Sequence, residues 1–140
     1  MCIRDSGFFP DVGGTWLLSR SPGEIGTYFG LTGQTMNGPD AIHARFADAV
    51  VPSAKLADLR EALTKVRAGV TPAEITSLIG DFSTGATAGP VAAMQSGIDG
   101  WFAHDRMQDI VTALRSDGSE QALATLKTCL LYTSPSPRDS

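Results

Sequence analysis

Cysteine is nearly missing from this chain. Two occur in 140 residues, Cys2 and Cys129, close to opposite ends. Everything between them is therefore without a disulfide framework, a thiol nucleophile or a thiolate metal site. Histidine is equally scarce. His43 and His104 stand apart, without the cysteine or carboxylate spacing of a metal site. No basic run occurs, and 15 acidic against 11 basic residues leave a net charge of −4. That balance argues against nucleic acid as a partner. No apolar run reaches membrane-spanning length and no signal peptide is visible, so no membrane partner is expected. The 42% apolar and 19% charged content is that of an ordinary globular chain, and 140 residues amount to one domain or less.

Against this plain background one stretch is distinctive: Gly7-Phe8-Phe9-Pro10-Asp11-Val12-Gly13-Gly14-Thr15-Trp16. An apolar approach leads to a Pro-Asp turn, and two glycines then open a helical segment. Pro10 fixes its own φ and pushes Phe9 towards extended geometry. Gly13 and Gly14 permit close backbone approach or a φ that other residues resist. Asp11 is the one charge between Gly7 and Ser19. A carboxylate there either caps the orphan N–H groups of a helix or faces a substrate. The diglycine is not a P-loop, because no Gly-Lys-Ser/Thr follows.

Gly7 to Arg20 resembles the active-site segment of the 3-hydroxyisobutyryl-CoA hydrolases, members of the crotonase (enoyl-CoA hydratase/isomerase) superfamily. Their pattern reads Pro-Glu-Thr-x-Ile-Gly-[Phe/Leu]-[Phe/Tyr]-Pro-Asp-Val-Gly-Gly, and this chain follows it from Gly7 onward. General hydratases carry Pro-Gly-x-Gly-Gly-Thr here, so Asp11 tips the resemblance towards the hydrolases. The likeness extends over nearly all of residues 7–128, with Leu31-Thr32-Gly33, Ile98, Phe102 and Asp117 to Ala122 at matching places. It implies an α/β spiral with a helical C-terminal region. This chain should be mainly α, the C-terminal part of such a spiral, with one or two short strands.

The resemblance also defines the expected boundaries. The family's catalytic Glu falls at position 3, where this chain has Ile3. Arg-Asp-Ser occurs at positions 4–6 and again at 138–140, and both terminal segments look like translated sequencing adapter. Residues 1–6 and 129–140 are therefore read as non-native, residues 7–55 as the last part of the crotonase-like core, and residues 56–128 as its helical C-terminal region.

Helices are expected from Gly14 to Ser19, from Glu24 to Leu31 with Gly33 as C-cap, and from near Pro39 to Arg45. Ala47 to Val51 is the best strand. Leu56, Leu59, Leu63 and Val66 make one apolar stripe. Thr71-Pro72-Ala73-Glu74 reads as a capping box, and Asp105-Arg106-Met107-Gln108 as a second. Val91, Met94, Ile98 and Trp101 form another stripe, with Phe102 beside it; Met107, Ile110, Val111 and Leu114 form a third. Asp117-Gly118 ends that helix, and Ser119 caps a last one that buries Leu123 and Leu126. Asp81 to Gly89 is a loop.

Thioester hydrolysis needs a base or nucleophile, donors for the oxyanion, and groups that orient the acyl chain. The resemblance implies a Glu for the first role and upstream backbone N–H groups for the second. It gives Asp11 the catalytic role of orienting the 3-hydroxyacyl group or tuning the Glu, since neighbouring carboxylates drive their pKa values apart. Phe8, Phe9, Gly13 and Gly14 are the candidate substrate-binding residues. No metal and no separate cofactor is expected; coenzyme A is part of the substrate. Arg20, Arg45 and Lys55 read as surface charges, with CoA phosphates as the alternative contact. His43 and His104 read as surface or capping residues. Trp16, Tyr28, Trp101 and Phe102 read as core or interface side chains.

Three functions follow. The first is a fragment of a 3-hydroxyisobutyryl-CoA hydrolase of valine breakdown, inactive as written because Ile3 replaces the Glu. The second is an enoyl-CoA hydratase or isomerase fragment. The third is a non-catalytic helical assembly module. Missing spiral turns would leave apolar faces uncovered, so marginal stability and a homo-oligomer are expected. The location implied is cytoplasmic in a bacterium and mitochondrial in a eukaryote.

Overall fold

The computed structural model describes residues 13–133, apart from position 86, and of residues 129–133 the backbone alone. Eight α-helices occur among them. They are α1 (Gly14–Leu18), α2 (Ile25–Thr32), α3 (Gly38–His43), α4 (Leu56–Thr64), α5 (Pro72–Phe82), α6 (Pro90–Phe102), α7 (Met107–Asp117) and α8 (Glu120–Thr133). A 3-10 turn at Ser53–Lys55 precedes α4. The mainly α character matches the sequence expectation. The strand expected at 47–51 does not form, and no strand occurs among the described residues. A strand needs a neighbour to satisfy its backbone. Here Val50 offers its carbonyl to a single amide, the N–H of Thr84, at 3.0 Å.

The core lies where α2 and α6 cross, with α7 and α8 closing one side. Ile25, Tyr28 and Phe29 come from α2; Val91, Ile98, Trp101 and Phe102 from α6; Ile110 and Leu114 from α7; Ala122 and Leu126 from α8. All are buried, as the stripes of α6 and α7 require. Tyr28 meets Phe102 edge to face, ring centroids 5.7 Å apart at 85°. α1 packs on α2, and α3 packs on α6.

Two helices, α6 and α2, have an amide at their start bound by a carboxylate from another helix. The N-cap of α6 is Gly89, and Asp40, 2% exposed on α3, reaches across so that its Oδ1 accepts the Val91 N–H at 3.0 Å. The Glu24 N–H, at the start of α2, is likewise bound by Asp99 Oδ1 of α6 at 2.8 Å. A Cβ on either Gly89 or Gly23 would collide with these carboxylates. Each carboxylate satisfies an amide at the positive end of a helix dipole.

Other helix ends follow local rules. Asn37 Oδ1 accepts the Asp40 N–H at 2.8 Å. Thr71 and Glu74 form the expected capping box. Gly33 and Gly118 terminate α2 and α7 in the left-handed conformation. The second box, at Asp105–Gln108, does not form. The N-cap of α7 is Arg106, one residue later, with no side-chain cap bond, and Asp109 supplies the negative charge of the first turn. Ser119 Oγ accepts the Ala122 N–H at 3.2 Å, so it caps α8 as expected. Among the described side chains of α8 the buried ones are Ala122, Thr125 and Leu126, whereas Leu123 is 43% exposed. The i, i+3, i+4 face through Ala122 turns Leu123 away from the core.

The link between α7 and α8 carries a pH dependence. The Ser119 hydroxyl, then the Trp101 side chain, then the Ser119 N–H hold the Asp117 carboxyl below its ordinary value of 3.8. The folded value lies under the unfolded one. The stabilisation is therefore complete above about pH 4 and is lost as pH falls through the folded value. In a carbon-13 carboxyl titration, Ser119→Ala should raise the Asp117 midpoint towards the ordinary value, while Ser119→Thr, which keeps the hydroxyl, should not. An unchanged midpoint in Ser119→Ala would remove the hydroxyl as the main cause.

Candidate functional site

Of the five candidate site residues, Phe8, Phe9 and Asp11 lie outside the described residues. Gly13 and Gly14 lie within them. Gly13 is the N-cap of α1 with φ 81°, in the left-handed region, and its carbonyl accepts the Leu17 N–H at 3.1 Å. Among the described residues, nothing stands within 4 Å of where a Cβ would be. Conformation, not space, thus makes glycine the favoured residue at 13. Gly14 begins α1 and is half-buried. The diglycine thus supplies a left-handed N-cap and the first residue of a five-residue helix. A helix that short aligns too few peptides to act as a charge by itself.

α1 is anchored on one side only. Leu18 packs against the core, and the backbone of Gly26 runs directly over the Leu18 carbonyl. Trp16 faces away, 57% exposed, with the Arg20 guanidinium stacked 3.9 Å from its ring centroid. The expectation of a core or interface role holds for Tyr28, Trp101 and Phe102, which are buried; Trp16 is not buried among the described residues. Through α2 the segment is tied to α6, because Asp99 fixes the residue that starts α2. The helix that follows the diglycine is thus held to the core through Leu18 and α2.

The other candidates fall elsewhere. His43 is half-buried and pairs with Gln95 on α6, Nε2 to Oε1, at 2.6 Å. Asp40, its sequence neighbour, is engaged with the Val91 N–H. The two are committed to different partners and do not act as an acid–base couple. His104, Arg45 and Lys55 are exposed. Arg45 has φ 63° and sits in the left-handed position that ends α3, where Phe46 N–H reaches back to the Ala41 carbonyl at 2.8 Å. An open cleft of about 630 Å³ lies between α5 and the 48–50 segment, lined by Ile42, Val50, Thr76, Ile79 and Ser83 among others. Gly13 and Gly14 do not line it. Among the described residues no group of three or more His, Cys, Asp or Glu could hold a metal ion, and no helix is long and apolar enough to cross a membrane.

Sequence reasoning missed Asp40 and Asp99. The signal was present as a deficit: Gly89-Pro90 and Gly23-Glu24 open helices with no Ser, Thr, Asp or Asn at the cap. A helix start without its own acceptor implies one supplied by another element.

Residues 4–137 match the family model described as enoyl-CoA hydratase/isomerase. The human protein named 3-hydroxyisobutyryl-CoA hydrolase, mitochondrial, is 32% identical over 126 residues, covering 86% of this chain and 32% of the relative. The small ribosomal subunit protein mS47 of Neurospora crassa is 32% identical over 130 residues, covering 83% of this chain and 25% of the relative. A solved structure, a carnitinyl-CoA dehydratase from Mycobacterium thermoresistibile, superposes with a TM-score of 0.81 at 34% identity, over 94% of this chain and 36% of that one. The chain thus spans between 25% and 36% of the length of these relatives.

Proposed function

The chain belongs to the enoyl-CoA hydratase/isomerase family, and from that premise we propose that it is part of an acyl-CoA thioester hydrolase that converts 3-hydroxyisobutyryl-CoA to 3-hydroxyisobutyrate and CoA. The observation that carries the reading is Asp11, standing before Gly13-Gly14 where general hydratases carry glycine. Similarity to a human protein of that name supports it. Residues 7–55 carry the last part of the active-site core, and residues 56–128 the helical region that follows. Water attacks the thioester carbonyl, and the carbon–sulfur bond breaks with CoA leaving as the thiol. In this reading Asp11 orients the 3-hydroxyl of the acyl group, and Phe8 and Phe9 wall it. Gly13 and Gly14 allow close approach of the backbone. No cofactor beyond the CoA of the substrate is invoked. The enzyme would work in the cytoplasm of a bacterium or the mitochondrion of a eukaryote.

The 140-residue chain carries Ile3 where the general base belongs, so it should show no turnover of 3-hydroxyisobutyryl-CoA. The full-length gene product should release CoA, measured as free thiol. Its Asp11→Asn variant should lose about 10²-fold in kcat while keeping its fold. Hydration of an enoyl-CoA without CoA release by the full-length protein would replace this reading with the hydratase one. Similarity to a small ribosomal subunit protein favours the third reading, a non-catalytic assembly module. Neither CoA release nor hydration, together with no affinity for CoA esters, would select it.

A further inference from the structure

Between positions 51 and 88 no described residue is buried, although the segment holds two helices. Of the expected apolar stripe, Leu56, Leu59 and Leu63 lie on α4 whereas Val66 falls beyond its end; Leu56 and Leu63 stay exposed and Leu59 is only half-buried. The segment looks after its own polar groups. Lys65 pairs with Glu61 at 2.6 Å, Arg67 with Glu74 at 3.7 Å, and the Thr71–Glu74 capping box is internal.

The joint to the remainder is narrow. Thr84 N–H bonds the Val50 carbonyl at 3.0 Å. Val50 belongs to the body, since its side chain lies where a Cβ on Gly38 of α3 would be. Pro52 and Ser83, with ψ of 140° and 156°, are extended residues that bound the segment on either side. The cleft of about 630 Å³ lies at this joint, Ile42 and Val50 on the body side, Thr76, Ile79 and Ser83 on the other.

We infer that residues 53–85 form an arm that opens as one unit about the Val50–Thr84 joint while the core of α2, α6, α7 and α8 stays closed. Local opening is least costly where few apolar contacts are lost, and this arm loses none from a fully buried residue. Its internal pairs travel with it. Opening widens the cleft without uncovering Phe102, Ile98 or Leu114.

Amide hydrogen exchange on the 140-residue chain tests this. Protection factors in α4 and α5 should fall together and lie at least about tenfold below those of α2 and α6. Thr84→Pro removes the donor at the joint. It should lower protection in α4 and α5 several-fold further and leave α2 and α6 within about twofold of the parent. Equal protection of arm and body would overturn the inference. So would a Thr84→Pro effect that is absent, or that spreads equally to α2 and α6.

Discussion

Replacing Phe102 with alanine is expected to abolish the cooperative unfolding transition of this chain. Phe102 is 1% exposed and ends α6 at the point where α2 crosses it. Truncating a buried phenylalanine costs about 3–5 kcal/mol, because transfer free energy is lost and a cavity remains. The edge-to-face contact with Tyr28 adds about 0.5–1.5 kcal/mol. Domains of this size have about 5–15 kcal/mol in total. This one is expected at the low end, since no described residue between 51 and 88 is buried. Thermal and urea unfolding followed by circular dichroism should show a sloping, non-cooperative signal. A sharp transition within about 2 °C of the parent would mean that the α2–α6 crossing is not where stability resides.

The second large effect distinguishes two glycines one turn apart. Gly26→Ala should destabilise the chain by about 1–3 kcal/mol, and Gly30→Ala should stabilise it by up to about 1 kcal/mol. Both lie in α2, so both gain the same helix propensity from alanine. A Cβ on Gly26 would fall inside the contact radius of the Leu18 carbonyl oxygen, a backbone atom that cannot rotate out of the way. A Cβ on Gly30 would lie 3.7 Å from Leu18 Cδ1, an ordinary contact. In urea denaturation the midpoints should move in opposite directions. Gly26→Ala should also release α1, seen as a change in fluorescence of Trp16, whose partner Arg20 lies beyond the displaced turn. Two midpoints moving the same way would show that propensity, not the α1–α2 approach, governs both sites.

What could be read from the sequence was what periodicity and capping chemistry encode locally. The stripes of α6 and α7, the Thr71 box, the Ser119 cap and the glycine ends at 33 and 118 all lie within one or two turns of their partners. The expected strand failed because a strand is defined by a neighbour that 47–51 does not have here. Three of the four expected stripe residues lie on α4, but a stripe does not say what covers it. Leu123 was misplaced by phase: Ala122, too small to weigh in a hydrophobic count, is the residue that faces inward. For the candidate site, the diglycine turn at 13–14 was legible because positive φ selects glycine. Asp40 was not, because its partner lies 51 residues away in sequence.

That separation has its own outcome for how the chain acquires structure. α6 cannot secure its first turn until α3 has arrived, and α2 cannot secure its own until the far end of α6 is in place. A synthetic peptide spanning 89–103 would fray from its amino end. The same residues inside the protein become helical only as part of a mutual arrangement among three segments. Such interlocking converts local ordering into an all-or-none event, so the carboxylates of Asp40 and Asp99 act as latches on the order of assembly as much as on the finished structure.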